Sequence, residues 1–428
     1  MRRHSFFKQK NMRIRILLVS IVGLFLSTSS FAQNNYNLQK ALKTASDNNP
    51  ILKTQKFDIA VAESEIVSAK IIPNIKLNNQ SLFLMNGAMA NNASNLVSAR
   101  NSQIWWQATK VFQIAGQRKN KIEVANKSVA YTKQNFEEIK RNLYQAVALK
   151  WLDVWTAKKQ FDILNRAKNN LDSVVTINKN RLKNQVITQI DYNRTELLAN
   201  QYALQIKSAG QTLKNETANF KYLLGTSEDI TIDENDSFEY VTTTTSDDLL
   251  KTSLESRTDV LAAKSAIEVA NSNIKLQKSL AYPQPELGMI FNPQNTLPYF
   301  GLYATIELPF FDRNQGEIQK SGVLKSQAEQ DLIAKQQQIQ TELTTAYNAY
   351  LLQKKNVADF EAMLKQSDAI LAGVKYTYLR GGTTIIDFLE AQRSWLDTQQ
   401  QYYNALQQYR ESYIALLYQS GLINTISK

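Results

Sequence analysis

Apolar residues recur at every seventh position over long stretches of this chain. Phe388, Trp395, Tyr402, Tyr409 and Leu416 are spaced by seven, and so are Leu343, Tyr350, Val357, Leu364 and Leu371. A sustained seven-residue period marks helices that pack along their whole length as coiled coils. Proline is absent between Pro73 and Pro283 and after Pro309. Inside a helix proline removes a hydrogen bond and clashes with the preceding turn, so these spans permit very long helices. The pattern predicts helices over 116–182 and 190–224, again over 313–379 and 384–420, and shorter ones over 50–72 and 247–280. At about 1.5 Å per residue the first is on the order of 100 Å long. Trp151, Trp155 and Trp395 fall on the same pattern and read as seam or core residues. Asn and Gln are abundant in these helices, but a regular apolar period is not the composition of a disordered polar tract.

Between the helices the period changes from seven to two. Phe300, Leu302, Ala304, Ile306 and Leu308 alternate with Tyr299, Gly301, Tyr303, Thr305 and Glu307, and Leu287, Met289 and Phe291 alternate in the same way. Strands are predicted over 74–85, 103–113, 286–292 and 299–308, the first two flanking an Asn-rich loop over 86–101. Short alternating strands with aromatic flanks suit either an outer-membrane barrel or a half-buried soluble sheet. No globular helical domain is present for a soluble sheet to cover. Four strands cannot close a barrel, and an open edge in lipid would leave backbone groups unpaired, so several chains must share one.

The chain also repeats itself. Leu42-Lys43-Thr44 recurs as Leu250-Lys251-Thr252, and Ile59, Ala62 and Ile66 meet Ile267, Ala270 and Ile274 at the same offset of 208. Further on the offset becomes 196 and holds without a gap from Ile122/Ile318 to Gly225/Gly421. At that offset Tyr192, Ala199, Ile206, Leu213 and Phe220 take the heptad positions of Phe388 to Leu416. Two tandem units result, 33–225 and 247–421, each reading helix, two strands, long helix, helix. A linker rich in Asp, Glu, Ser and Thr covers 226–246, and a short tail covers 422–428.

Charge and composition remove most chemistry. Of the 428 residues, Met1–Arg15 carries six Lys/Arg and no acid, Ile16–Leu26 is an apolar run, and Ser30-Phe31-Ala32 follows. That is the order of a secretory signal over 1–32, with Met1 or Met12 as its start; the run is too short to span a bilayer. Its removal lowers the formal charge from +12 to +6, which weakens any case for a nucleic-acid partner. It also removes His4, the one histidine, in a chain without cysteine. Imidazole and thiolate catalysis, zinc sites of those ligands, and acylation at an N-terminal cysteine are thereby excluded. The chain contains no Gly-x-x-x-x-Gly-Lys-Ser/Thr loop, and no cofactor is implied. An enzyme is not expected. Met85 and Met89, four apart, are read as incidental thioethers rather than a copper relay.

Two stretches carry a family resemblance. Tyr378-Leu-Arg380-Gly381-Gly382-Thr-Thr-Ile-Ile-Asp387-Phe-Leu-Glu390-Ala-Gln and, in the first unit, Arg181-Leu-Lys-Asn-Gln185-Val-Ile-Thr188-Gln-Ile-Asp191 resemble the hairpin tips of the TolC-like outer-membrane efflux channels. Gln185 stands where that family usually has glycine. Gln113-Ile-Ala-Gly116-Gln-Arg118 and Leu308-Pro309-Phe-Phe311-Asp312-Arg313-Asn314-Gln315-Gly316-Glu317-Ile318 are similar to the strand-to-helix junctions of the CzcC/CusC-like metal-efflux branch. Asp312 in that string is expected to cap the following helix.

The resemblance implies a mainly α fold with a β-barrel part. A trimer shares one 12-strand barrel, four transmembrane strands per chain, and the helices form a coiled-coil α-barrel in the periplasm of a Gram-negative bacterium. It implies a passive exit duct that meets outer-membrane lipid, a periplasmic adaptor and an inner-membrane pump of the RND type, with heavy-metal cations as cargo. A multidrug or type I secretion duct is the alternative within transport, and an exported coiled-coil scaffold without a pore the alternative outside it. Arg181, Gln185, Thr188, Arg380, Gly381 and Gly382 are then the adaptor-contact tips. Asp387 and Glu390, with Asp191 as a secondary candidate, are the acids of the periplasmic constriction; the competing assignment makes them N-terminal helix acids favoured by the helix dipole.

Overall fold

The computed structural model describes residues 34–83, 102–236, 238–239, 245–294 and 297–427. The expected signal segment and the Asn-rich loop with Met85 and Met89 lie outside the described residues. Elements run in the order β1 (Asn34–Tyr36), α1 (Leu38–Asn48), α2 (Pro50–Lys70), β2 (Lys76–Phe83), β3 (Ser102–Val111), α3 (Gln117–Lys183), α4 (Gln189–Leu224) and β4 (Ile230–Ile232). The second unit supplies α5 (Ser246–Ser256), α6 (Thr258–Leu280), β5 (Glu286–Gln294), β6 (Leu297–Thr305), α7 (Gln315–Leu379), α8 (Ile385–Gln419) and α9 (Ile423–Ile426). The chain is thus two tandem copies of one unit, with the two long hairpins α3–α4 and α7–α8 dominating the molecule.

Each long helix is packed on both ends by different partners. On the sheet side the helices lie in the order α2, α3, α6, α7; towards the tips α4 and α8 replace α2 and α6. The exchange of partners explains why α3 and α7 carry one apolar period over 67 and 65 residues. Two cores result. One surrounds Trp151, Phe220, Phe238 and Leu416 at the level of the exchange, the other Leu171, Leu198, Phe388 and Trp395 nearer the tips. Trp151 is fully buried, donates from its indole N–H to the Tyr36 carbonyl at 2.8 Å, and stacks on Phe238 at 5.6 Å. All three tryptophans of the period are therefore core residues.

The helix expected over 247–280 is broken into α5 and α6 at Arg257, whose ψ of 136° is extended. Its counterpart Asn49, 208 residues earlier, separates α1 from α2. Both are buried, and both cap the return helix of their own repeat. Asn49 Nδ2 donates to the Leu223 carbonyl at 2.8 Å and Arg257 Nη1 to the Gln419 carbonyl at 3.0 Å. Leu223 and Gln419 are themselves 196 apart, so one contact is made twice with different chemistry. The last carbonyls of a helix lack intrahelical partners, which is why the donor is worth a helix break. Glycines at 225 and 421 complete this corner in the left-handed region, and a Cβ on Gly225 would lie 2.6 Å from the Asn48 carbonyl oxygen.

Asp312 does not cap α7. Its carboxylate accepts from the Asn314 N–H at 2.8 Å, closing a turn before the helix. Asn314 is the N-cap residue, at φ 58°, and its amide reaches the Gln277 carbonyl at 2.9 Å, tying the junction to α6.

The four longer strands form one antiparallel sheet in the order β2-β3-β5-β6. The register turns the sequence alternation into two faces. Trp106 pairs with Phe291, Ala108 with Met289, Phe291 with Phe300 and Met289 with Leu302, so these side chains share one face. No helix covers that face, and Leu302 is 85% exposed. The opposite face carries Asn78, Gln80, Gln103, Gln107, Thr109, Glu286, Tyr299, Tyr303 and Thr305. An uncovered apolar face backed by a polar one is the pattern of a barrel wall between lipid and water. The strands are eight to ten residues long, close to the roughly 9–11 that a tilted strand needs to cross a bilayer. Among the described residues no helix is long and apolar enough to cross a membrane.

Candidate functional site

The ends of the two hairpins lie farthest from the sheet, and there the repeats are built alike. In the second hairpin Gly381 N–H donates to the Tyr378 carbonyl and Gly382 N–H to that of Thr377, both at 3.0 Å, with Gly381 at φ 80°. In the first, Gln185 N–H donates to Leu182 and Val186 N–H to Arg181, both at 2.9 Å, with Gln185 at φ 59°. These paired bonds close a helix end by a left-handed residue. Gln185 takes that conformation despite its Cβ, at a cost on the order of 1–2 kcal/mol relative to glycine. The departure from glycine therefore leaves the turn intact.

The return helices also begin alike. Thr188 caps α4 and Thr384 caps α8, and each accepts from the N–H of the aspartate three residues on, Asp191 and Asp387. The aspartates reach back to the threonine backbone, completing a capping box. Asp387 is engaged further: its Oδ2 accepts from the hydroxyls of Thr383 and Thr384, each at 2.6 Å, and from the Thr384 N–H at 3.0 Å. The hydrogen bond from Thr383, then those from Thr384, hold its carboxyl below the ordinary aspartate value. Glu390 stands one turn further along α8 and is exposed. The structure thus gives Asp387 and Asp191 a helix-starting duty, whatever else they do.

The two tips are joined to each other. Arg181, at the end of α3, donates to the Leu379 carbonyl at 2.7 Å, and its guanidinium lies 5.0 Å from the Tyr378 ring. Tyr378 is buried, stacks on Phe388, and donates to Asn178 Oδ1 at 2.6 Å; Asn178 in turn donates to Thr195 Oγ1 at 3.0 Å. Arg181 is therefore committed to the neighbouring hairpin, whereas Gln185, Thr188, Arg380, Gly381 and Gly382 face outward. Asn178 and Tyr378 were not singled out by the sequence pattern, because their partners lie in different helices. Nor were Val186, Ile190 and Ile386, which are 67%, 63% and 56% exposed. Apolar residues that recur at the 190/386 offset in an otherwise polar turn were the available signal.

Residues 249–421 match the family described as outer membrane efflux protein. The same architecture extends through the first repeat in solved structures. The CusC structure superposes with a TM-score of 0.74 at 17% identity, covering 90% of this chain and 92% of that one. The CmeC outer membrane channel of Campylobacter jejuni gives 0.72 at 15% identity, covering 92% and 90%. The MtrE outer membrane channel of Neisseria gonorrhoeae, in its open state, gives 0.71 at 17% identity, covering 90% and 88%. No curated protein sequence matches the chain significantly. The fold is that of these channel structures, over nine-tenths of the chain.

Proposed function

We propose that the protein is the exit duct of a tripartite efflux system, a homotrimer that docks a periplasmic adaptor and an RND-type inner-membrane pump through its hairpin tips. The observation that carries this reading is the pairing of an incomplete sheet with an incomplete helical wall. Strands β2 and β6 are both sheet edges. Towards the tips, on the two outer helices of the wall, α4 presents Ile190, Leu197 and Leu204 at seven-residue spacing and at least 60% exposed, and α7 presents Met363 and Ile370 at the same spacing. Unpaired strand edges and unpaired heptad stripes at the two lateral sides call for further copies of the chain. Three copies would give twelve strands.

Heavy-metal cations are the proposed cargo. The reading rests on the junction residues Leu308–Ile318 and Gln113–Arg118, which resemble the metal-efflux branch. Cells lacking this chain should accumulate a divalent transition metal and become sensitive to it. Drug sensitivity with unchanged metal tolerance would assign the duct to multidrug efflux instead.

The tips supply a direct test of docking. A Cβ on Gly381 meets nothing within 4 Å, so a large side chain there clashes with no neighbour, and its only cost is the left-handed backbone that Gln185 already tolerates in the first hairpin. Gly381→Trp should abolish export and adaptor crosslinking while leaving the yield of detergent-resistant trimer near wild type. Normal export by that variant would move the docking surface elsewhere.

Asp387 and Glu390 are proposed as the acids of the periplasmic constriction, with Asp191 secondary. One of each from three chains would crowd negative charge in a narrow throat, which attracts cations and hinders anions. In single-channel recordings Asp387→Asn/Glu390→Gln should weaken cation preference and block by multivalent cations. The capping box makes Glu390→Gln the cleaner change, since it leaves the start of α8 untouched. Unchanged selectivity in both variants removes these acids from the gate.

A further inference from the structure

The junctions of the first repeat, where the sheet meets the helices, combine exposed apolar side chains with a run of bases. Lys70-Ile71-Ile72-Pro73-Asn74-Ile75-Lys76 enters β2, and Lys110-Val111-Phe112-Gln113-Ile114 leaves β3 towards Arg118, Lys119 and Lys121. These two stretches contain six Lys/Arg and no acid, whereas the second-repeat junctions mix Lys278, Arg313 and Lys320 with Glu286, Glu307, Asp312 and Glu317. Ile71, Ile72 and Ile75 are more than half exposed, and Phe112 and Ile114 more than two-fifths.

The stretches form one patch. Lys76 pairs with Thr109 across β2 and β3, and Arg118 donates twice to the Lys70 carbonyl, at 2.7 and 3.0 Å. The register puts Leu77, Trp106, Ala108 and Lys110 on the uncovered apolar face, and the patch continues that face at its helix end. Lys76 turns the other way and sits 3.6 Å from Glu286. Among the described residues Lys70, Lys110, Lys119 and Lys121 enter no ion pair, so their charge is available.

We propose that this patch binds the phosphate headgroups of anionic phospholipids in the periplasmic leaflet of the outer membrane. Charge complementarity selects the phosphate, and continuity with the lipid-facing sheet places it at headgroup depth. Apolar side chains interleaved with lysines suit that depth, where alkyl stems lie along the acyl boundary and ammonium groups reach the phosphates.

The inference rests on the outer-membrane duct reading, and one experiment separates their failures. The intact oligomer is reconstituted in nanodiscs of phosphatidylcholine containing one-fifth phosphatidylglycerol, and the lipids retained on release are counted by native mass spectrometry. Wild type should retain phosphatidylglycerol several-fold above its share of the bilayer. Lys70→Gln/Lys110→Gln/Lys119→Gln/Lys121→Gln should return that ratio to the bulk value with the oligomer intact. A control with four tunnel lysines replaced, Lys207→Gln/Lys214→Gln/Lys251→Gln/Lys264→Gln, should keep the enrichment. No enrichment in wild type, enrichment surviving in the junction variant, or equal loss in the control each overturns the lipid site. Failure to insert as an oligomer at all would instead overturn the duct reading.

Discussion

Gly288→Val is expected to leave the chain without an assembled sheet. Gly288 pairs with Thr109 on one side and Tyr303 on the other, in the middle of the four strands. A Cβ at this position would lie 2.2 Å from the Ala108 carbonyl oxygen and 2.7 Å from Thr109 Cα. Both are backbone atoms held by the ladder, so neither can turn aside as a side-chain tip would. The strand must shift, and a shift of one residue exchanges the apolar and polar faces. In lipid the displaced amide and carbonyl groups have no water to satisfy them. Detergent-resistant oligomer should therefore disappear from the outer-membrane fraction, and Gly288→Ala should already reduce it. Two glycines frame the comparison. At Gly301 the nearest neighbour is the Ile290 Cγ2 methyl at 3.1 Å, so Gly301→Ala should be mild. Gly322 lies within α7 with nothing inside 4 Å, and Gly322→Ala should stabilise by roughly 0.5–1 kcal/mol. Wild-type oligomer yield from Gly288→Val would mean that the close approach at Ala108 is not a constraint on assembly.

How far the fold was legible depended on whether each signal was local. The heptads specify the seams of α3, α4, α7 and α8 because the apolar positions keep to one stripe of each helix even where its packing partner changes. The strands of the second repeat were visible as alternation at Phe300–Leu308. The ladder then added the meaning of that alternation, by bringing Trp106, Met289 and Phe291 to the face of Leu302. The start of α2 was legible at Pro50, but the break at Arg257 was not. An arginine there looks compatible with a continuing helix until its acceptor, the Gln419 carbonyl, is brought 162 residues along the chain to meet it. The parallel pair β1–β4 escaped for another reason: three residues are too few to show a period of two.

The tips divide along the same line. Thr188-x-x-Asp191 and Thr384-x-x-Asp387 are capping boxes readable from spacing alone, and both are present. The link between hairpins through Arg181, Tyr378, Asn178 and Thr195 joins three helices and leaves no mark in any one of them. Its consequence is physical: the two tips move together unless that cluster opens. The exposed residues Gln185, Gly381, Ile190 and Ile386 are therefore carried as one unit.

Asp259→Asn should be the most damaging single change in the helical part. Asp259 accepts from Arg257 Nη2 at 2.7 Å and lies 3.5 Å from Arg141 Nη2. Both guanidinium groups are almost wholly buried, at 3% and 1% exposure. Arg141 also donates to Glu138 and to the Tyr418 carbonyl, and Arg257 to the Gln419 carbonyl, so the cluster binds the ends of α6 and α8 to α3. Burial alone would push the Asp259 carboxyl up; the hydrogen bond from Arg257 and the charges of Arg257 and Arg141 outweigh it and leave the group below its ordinary value. Removing one partner of a buried ionic group strands the others, which typically costs about 3–5 kcal/mol. A carboxylate whose native pKa is depressed stabilises fully above its unfolded value of about 3.9 and loses that contribution as pH falls through the native one. In wild type the Asp259 contribution to the melting temperature should thus be constant from neutral pH down to the ordinary carboxylate range and be lost below it. Asp259→Asn should melt well below wild type at neutral pH and show a weaker acid-dependent decline. Arg257→Met should also melt lower, because it uncaps the Gln419 carbonyl and takes from the Asp259 carboxylate its nearest cation. A neutral-pH melting temperature for Asp259→Asn equal to wild type would show that the cluster does not bind the helix ends.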